Sequence, residues 1–289
     1  MTKKIKTTME NAQATTEVWA TMDDFIFDGE KCIVGIKNPD ITHIRFPEGI
    51  TDIGKTGNIL KRELRRNKIN DNFGNNLQYI YIPESVKNIK DNAFIYNSYL
   101  RTVEFAKDSK LSYIGRSAFQ ETGIEILKLP DNAETEQSAF AKCESLHTVI
   151  LAKNVSYIED NTFNGCISLK NVTWPKNLED IGHYSFVGTA LEVLDLRQCI
   201  DLYYISAYAF ADCKKLHTII FPANKDITLK SFAFNNCTAL QYIDKAPITK
   251  LITCPETFEG CYKLTTTEDE GTSKKDAADA YLMRRGILL

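Results

Sequence analysis

A repeated segment of 22 to 25 residues dominates this 289-residue sequence and constrains its fold more than any other feature. Each copy has apolar residues at its first, fourth and sixth positions, often a proline at the seventh, two apolar residues near its middle, and then a phenylalanine. The segment LHTVILAKNVSYIEDNTFNGCIS shows this template. The copies begin at Leu77, Leu100, Ile124, Leu146, Leu169, Leu191, Leu216 and Leu240, and their phenylalanines are Phe94, Phe119, Phe140, Phe163, Phe186, Phe210, Phe234 and Phe258.

The template predicts one coil per copy. Its first residues alternate apolar and polar side chains, which is typical of a strand buried on one face. A proline such as Pro175 or Pro222 follows and ends the strand, because proline cannot donate to a sheet ladder. The middle apolar pair, for example Val155 and Ile158, is expected to point inward, and a short helical turn carrying the phenylalanine is expected to close the coil.

One coil cannot bury its own apolar face, so neighbouring coils must stack with their strands about 4.8 Å apart. The sequence therefore predicts an α/β repeat solenoid of about eight coils, a right-handed superhelix with a concave parallel β-sheet. We expect the solenoid to cover residues 41–264, with an insert at residues 55–76 in the first repeat.

The two ends are predicted to differ from the repeats. Residues 1–20 have little apolar content and are expected to form a disordered tail. The segment DDFIFDGEKCIVGI places two short apolar runs around Asp28 and Gly29, which predicts a β-hairpin cap within residues 21–40. Residues 265–289 are expected to form a polar linker and a short capping helix that ends near Gly286.

The template resembles the BspA-like leucine-rich repeats, whose unit reads approximately LxxIxIPxxVxxIGxxAFxxCxx. The AF-x-x-C element is present from Phe140 to Cys143, from Phe210 to Cys213 and from Phe234 to Cys237. Lys245 departs from the pattern because it occupies an apolar strand position. The resemblance implies a secreted or cell-surface protein that acts in adhesion and in protein or glycan recognition.

Charge and hydropathy limit the classes of partner. A net charge of -3 and a pI near 5.9 give no basic face for nucleic acid. No apolar run is long enough to span a bilayer, and no secretory signal follows the first lysines, so we expect neither membrane insertion nor a visible leader. The chain is expected to be a monomer, and to be cytoplasmic if Met1 is its native start.

Residues 49–56, GITDIGKT, match the phosphate-loop pattern G-x4-G-K-T. In a nucleotide site, Lys55 would contact the terminal phosphates and Thr56 would hold magnesium. The repeat template explains the same residues as a strand end followed by Ile50 and Ile53 as the inward pair. Nucleotide binding is therefore a remote alternative, and we expect no catalytic residue, metal or cofactor.

Five cysteines occupy one template position, which predicts small, buried, weakly donating side chains at a turn rather than metal ligands. They are Cys143, Cys166, Cys213, Cys237 and Cys261. His147 and His217 fill the same template position three coils apart, which is too distant for them to share a ligand. These two histidines, with His43 and His183, are expected to lie on the surface.

Two surfaces are candidates for binding a partner. The third and fifth template positions point away from the core and should line the concave sheet, where apolar and aromatic residues indicate an interaction surface. These candidates are Tyr79, Tyr81, Ile126, Thr148, Ile150, Ile220 and Tyr242. The secondary candidate is the basic insert, with Lys61, Arg62, Arg65 and Arg66, which is either a solvated loop or a docking site for an acidic partner.

The sequence favours a function as a non-enzymatic recognition scaffold for a protein or glycan. The alternative is a structural or assembly component in which the solenoid serves as a docking frame.

Overall fold

Each repeat forms a coil with two short strands and one turn, and the strands of successive coils pair into parallel ladders. The computed structural model describes residues 17–55, 73–223, 226–244 and 250–264. The first ladder contains the strands at the start of each coil. These are β3 (His43–Arg45), β5 (Tyr79–Ile82), β7 (Thr102–Phe105), β9 (Ile126–Lys128), β11 (Thr148–Ile150), β13 (Asn171–Thr173), β15 (Val193–Asp195), β17 (Thr218–Ile220) and β19 (Tyr242–Asp244).

The middle apolar pair of each coil builds a second ladder, which the repeat pattern did not predict. Its strands are β1 (Phe25–Phe27), β2 (Cys32–Ile36), β4 (Asp52–Ile53), β6 (Asn88–Ile89), β8 (Tyr113–Ile114), β10 (Glu134–Thr135), β12 (Tyr157–Ile158), β14 (Asp180–Ile181), β16 (Tyr204–Ile205), β18 (Asp226–Leu229) and β20 (Lys250–Ile252). All its pairs are parallel except β1 with β2, which form an antiparallel hairpin before the first coil.

The predicted α/β class is wrong, because the turns that carry the phenylalanines are not helical. The single helical element of the described residues is a three-residue 3-10 turn at Met22–Asp24. The protein is a β-solenoid, and the C-terminal helix expected as part of the α/β class is not supported. That helix was expected at residues 265–289, which lie outside the described residues, as does most of the insert.

The backbone of the phenylalanine turn explains why no helix forms. Residues two before and two after the phenylalanine have left-handed φ angles, for example 59° at Asn161 and 75° at Gly165 around Phe163. Alternate amides therefore point along the solenoid axis. The amide of Phe163 donates to the Ser185 carbonyl of the next coil at 2.8 Å, whereas the amide of Asn164 donates within its own coil to Asn161 at 3.1 Å. An α-helix would use all these amides within the coil.

A stack of phenylalanine rings fills the core along this turn. The rings of Phe119 and Phe140 lie 5.3 Å apart at an interplanar angle of 2°, and the pair Phe210 and Phe234 has the same spacing at 4°. The stack begins at Phe73, which the repeat pattern did not identify, and its ring lies 4.9 Å from that of Phe94. The rings of Phe73 to Phe234 are fully buried, and Phe258 at the last turn is 6% exposed.

The cysteine column lies beside this stack and ties one coil to the next. Each thiol donates to the phenylalanine carbonyl of the preceding coil, as Cys166 does to Phe140 at 3.2 Å and Cys237 to Phe210 at 3.2 Å. Asn97, Thr122 and Thr189 occupy the same position in the other coils. All five cysteines are buried and unbridged, so the prediction of small buried donors is confirmed.

The first ladder is interrupted twice, between β7 and β9 and between β13 and β15. Both interruptions follow a turn that is one residue short: five positions separate Phe119 from Ile124 and Phe186 from Leu191, where six separate Phe140 from Leu146. Each shortened turn therefore precedes a strand that does not pair with the strand of the preceding coil.

Side chains take over part of the lost pairing at the first interruption. Arg101 donates through Nη1 to the carbonyl of Gly123 at 2.9 Å and to that of Ser98 at 3.2 Å. A Cβ at Gly123 would collide with the Arg101 guanidinium and the Ser98 carbonyl. Glycine is therefore required at this turn.

We expect Phe163→Ala and Phe210→Ala each to lower the free energy of unfolding by about 3 to 5 kcal/mol, because each removes a fully buried ring from the stack. Urea denaturation followed by circular dichroism measures the change. Tyr262→Ala is the matched control, since that ring is exposed, and it should change stability by less than about 0.5 kcal/mol. A cost below about 1 kcal/mol for both phenylalanine variants would contradict the packing described.

We also expect faster hydrogen exchange at the two interruptions. Val149 and Ile219 pair with Leu127 and Leu194 of the preceding strand, whereas within the described residues Leu127 and Leu194 have no paired residue in the coil before them. Exchange measured by NMR should be about tenfold or more faster at Leu127 and Leu194 than at Val149 and Ile219. Equal protection at all four amides would show that the ladder is continuous.

Candidate functional site

The outward side chains of the first ladder form one surface, which we call the strand face. Each strand buries its middle residue, for example Leu127, Val149 and Ile219, so the residues on either side of it point away from the core. Parallel pairing aligns these residues across coils: Thr148 lies beside Ile126 and Asn171, and Ile150 lies beside Lys128 and Thr173. The predicted binding residues of the first ladder therefore share one surface.

Exposure differs among the seven candidates. Ile126 and Tyr242 are largely exposed, at 55% and 57%. Tyr79, Tyr81, Thr148, Ile150 and Ile220 are half-buried. The candidates of the basic insert, Lys61, Arg62, Arg65 and Arg66, lie outside the described residues.

The exposed aliphatic residues of the strand face lie next to the ladder interruptions. Ile126 begins β9 and Val193, 43% exposed, begins β15. At the same position the other strands carry threonine or asparagine, as at Thr102, Asn171 and Thr218, or an aromatic residue, as at Tyr79 and Tyr242. The strands that follow a shortened turn thus present apolar side chains to solvent.

A cleft lies beside each interruption. One has a volume of about 710 Å³ and is lined by the ends of β7, β9 and β11 and the residues after them, among them Glu104, Lys128 and Ile150. The other, of about 410 Å³, lies between β13 and β15 and is lined by Thr173, Trp174 and Val193 among others. Both clefts combine apolar walls with charged or polar rims, as binding sites commonly do.

An aromatic cluster covers the N-terminal end of the strand face. The Trp19 ring lies 4.9 Å from the His43 ring and 5.7 Å from that of Tyr79. Residues 17–20, which fall within the predicted tail, are held against β3, since the amide of Ala20 donates to the His43 carbonyl at 2.9 Å. His43 is 9% exposed, so the expected surface position is wrong for this histidine.

The side chains of Tyr79 and Tyr81 already make contacts within the chain. The Tyr79 hydroxyl donates to the Glu104 carboxylate at 2.8 Å, and burial together with this bond raises the pKa of Tyr79 to about 12. The Arg45 guanidinium lies 4.2 Å from the centre of the Tyr81 ring. These two tyrosines therefore stabilise the first coils and have less free surface for a partner than Ile126 or Tyr242.

The phosphate-loop motif has a different structure in this chain. Asp52–Ile53 is strand β4, paired on both sides with β2 and β6. The amides of Thr51 and Gly54 donate to Lys31 and Ile33 at 2.8 Å, and that of Gly49 donates to the Ser85 hydroxyl at 2.9 Å. A phosphate loop needs these amides free to face the phosphates.

In the described part of the chain, no group of three or more histidine, cysteine or acidic side chains has a geometry suited to a metal ion. Within the same residues, no helix has the length and apolar character needed to cross a bilayer.

We expect no ATP binding by this chain. Equilibrium dialysis with labelled ATP and magnesium should give the same background retention for the parent protein and for Lys55→Ala, because the amides of the motif already have acceptors. Saturable binding that Lys55→Ala abolishes would restore the nucleotide hypothesis.

Solved structures that resemble the chain include a leucine-rich repeat protein from Bacteroides ovatus, at 20% identity and a TM-score of 0.47, covering 89% of this chain and 75% of that one. Another is a leucine rich cell surface protein from Faecalibacterium prausnitzii, at 22% identity and a TM-score of 0.47, covering 83% and 85%. A leucine rich repeat protein of T. pallidum matches at 18% identity and a TM-score of 0.44, covering 86% and 91%.

No curated protein matches the sequence significantly. The BspA type leucine rich repeat region matches in six copies, over residues 66–192 and 133–265. Because these matches cover more than half of the chain and coincide with its stacked coils, the protein belongs to the BspA-type leucine-rich-repeat family.

Proposed function

We propose that this protein is a non-enzymatic recognition scaffold whose strand face holds a protein partner at the cell surface. The observation that carries the proposal is the pair Ile126 and Val193. Each is an exposed aliphatic residue at the start of a strand where the ladder is interrupted. Val193 lines the smaller cleft, and Ile126 lies two residues before Lys128, which lines the larger one. Exposed apolar side chains gain free energy when a partner covers them, because their surface is then removed from water.

Three further features support a binding role. The strand face is built on a stacked core, so its side chains are held in fixed positions before a partner arrives, which lowers the entropy cost of binding. Tyr242, near the other end of the face, is a large exposed aromatic of the kind that forms binding anchors. Location at the cell surface rests on the family resemblance.

The aliphatic pair should form the centre of the footprint. We expect the double variant Ile126→Ser, Val193→Ser to weaken partner binding by about 30-fold, which corresponds to about 2 kcal/mol. Its unfolding free energy should stay nearly unchanged, since both side chains are already exposed in the free protein. Affinity is measured by surface plasmon resonance with a partner obtained from a pull-down on host extracts.

The matched control is the double variant Ile167→Ser, Ile200→Ser. Those isoleucines are 57% and 56% exposed but lie in turns away from the strand face, and the control should bind like the parent. If both double variants bind equally well, and binding is lost only when Arg62, Arg65 and Arg66 are neutralised, the site is the basic insert. A ligand found on a glycan array, with affinity lost in the first variant, would keep the face and change the class of partner.

A further inference from the structure

We infer that a second interaction surface lies on the outer side of the second ladder, and that it takes a lysine side chain from an extended basic segment of a protein partner. This surface consists of Tyr157, Glu159, Asp160, Asp180 and Tyr204, and we call it the tyrosine–carboxylate surface. It belongs to the coils that begin at Leu146, Leu169 and Leu191, and it does not include any residue of the strand face.

The strand register places an aspartate between two tyrosines. Tyr157, Asp180 and Tyr204 are paired positions of β12, β14 and β16. The next residue of each strand is a buried isoleucine, so the three side chains point outward. Adjacent strands are about 4.8 Å apart, which puts the aspartate within reach of a cation held between the two rings.

Among the described residues, the carboxylates of this surface have no lysine or arginine partner. Burial raises the pKa of Asp180 to about 6; His183 opposes the shift, whereas Asp160 and Glu159 add to it. Burial also raises the pKa of Glu159, with contributions from Glu136 and Asp160. Within the described residues, no lysine or arginine forms an ion pair with Glu159, Asp160 or Asp180, and the Oδ1 atom of Asp180 is buried without a hydrogen-bond partner.

Asp52, the equivalent aspartate of an earlier coil in the second ladder, has the lysine partner that Asp180 lacks. Asp52 in β4 receives hydrogen bonds from Asn88 at 3.0 Å and pairs with Lys90 at 2.6 Å, two residues further along the next coil. At the matching position beside Asp180, the chain has the buried Ser206 instead of a lysine. A lysine from a partner would supply the ammonium group that Lys90 supplies to Asp52.

The tyrosines suit the same ligand. An ammonium group is attracted to the face of an aromatic ring, and the pairing is stronger when water is partly excluded. The chain already uses this contact at one side of the surface, where the Lys230 ammonium lies 5.0 Å from the centre of the Tyr204 ring. Tyr157 is exposed and has no such cation among the described residues.

The neighbouring turn adds an aromatic border. The rings of Tyr184 and Tyr208 stack at 5.0 Å, and those of Tyr208 and Phe232 at 4.9 Å. All three residues have left-handed φ angles, of 57°, 59° and 63°, which bulky side chains rarely adopt. Other coils place asparagine or serine there, as at Asn161 and Ser138. The stacked rings therefore extend an apolar strip beside the carboxylates, along which the backbone of an extended segment can lie.

The test uses the full chain and a fluorescently labelled lysine octapeptide, with a glutamate octapeptide as the opposite probe. Fluorescence anisotropy at low salt and pH 7.5 should show saturable binding of the lysine peptide and no binding of the glutamate peptide. Asp180→Asn should weaken that binding about tenfold. Glu144→Gln, which removes one negative charge from an exposed position of another turn, should change it less than twofold.

The pH dependence gives a second readout. A carboxylate attracts the ammonium group only when it is ionised, so binding by the parent chain should be strong above pH 6 and should weaken as the pH falls to 5. In Asp180→Asn, peptide binding should not weaken between pH 6 and pH 5. A raised pKa also means that ionised Asp180 costs stability at neutral pH, so Asp180→Asn should melt at the same or a higher temperature than the parent.

Lost binding together with unchanged or higher stability supports a binding role that a merely structural aspartate would not show. The inference is overturned if the lysine peptide does not bind, if it and the glutamate peptide bind equally, or if Glu144→Gln weakens binding as much as Asp180→Asn does. Because the strand-face variants leave this surface intact, the two proposals can fail independently.

Discussion

The structure depends on hydrogen bonds that run along the solenoid axis from one coil to the next. The first strand, the second strand and the phenylalanine turn of each coil all donate amides to a neighbouring coil. This arrangement requires the strands and turns of successive coils to stay aligned, because a backbone group buried between coils has no water to replace a lost partner. The same alignment stacks the phenylalanine rings and the cysteine thiols, so core packing and backbone pairing reinforce each other.

Much of this could be predicted from the sequence, because the repeat fixes which residues are inward. The strands of the first ladder, the buried phenylalanines and the cysteine column follow from one template. The conformation of the turn could not be predicted in the same way. Left-handed positions are occupied by residues as different as Asn161, Tyr184 and Gly188, so no residue type marks them, and the Phe-containing segment was interpreted as helical. The second ladder was missed because most of its strands are only two residues long, too short to show an alternating pattern.

The candidate site was predicted in position but not in detail. Alternation along the strands correctly places Ile126 and Tyr242 outside the core. It could not show that Tyr79 is held by Trp19 and Glu104, which come from 60 residues before it and 25 after it, nor that the first ladder is interrupted. A signal for the interruptions was present in the sequence, as the spacing of five rather than six between Phe119 and Ile124 and between Phe186 and Leu191.

The second ladder is also interrupted once, between β10 and β12, where β9 and β11 of the first ladder remain paired. Where the first ladder is broken, β8 pairs with β10 and β14 pairs with β16. The breaks in the two ladders thus lie at different coil boundaries, and at none of these three boundaries are both ladders broken together. Where one ladder is broken, the other ladder still pairs the two coils. One surface can therefore change shape locally while the coils stay joined.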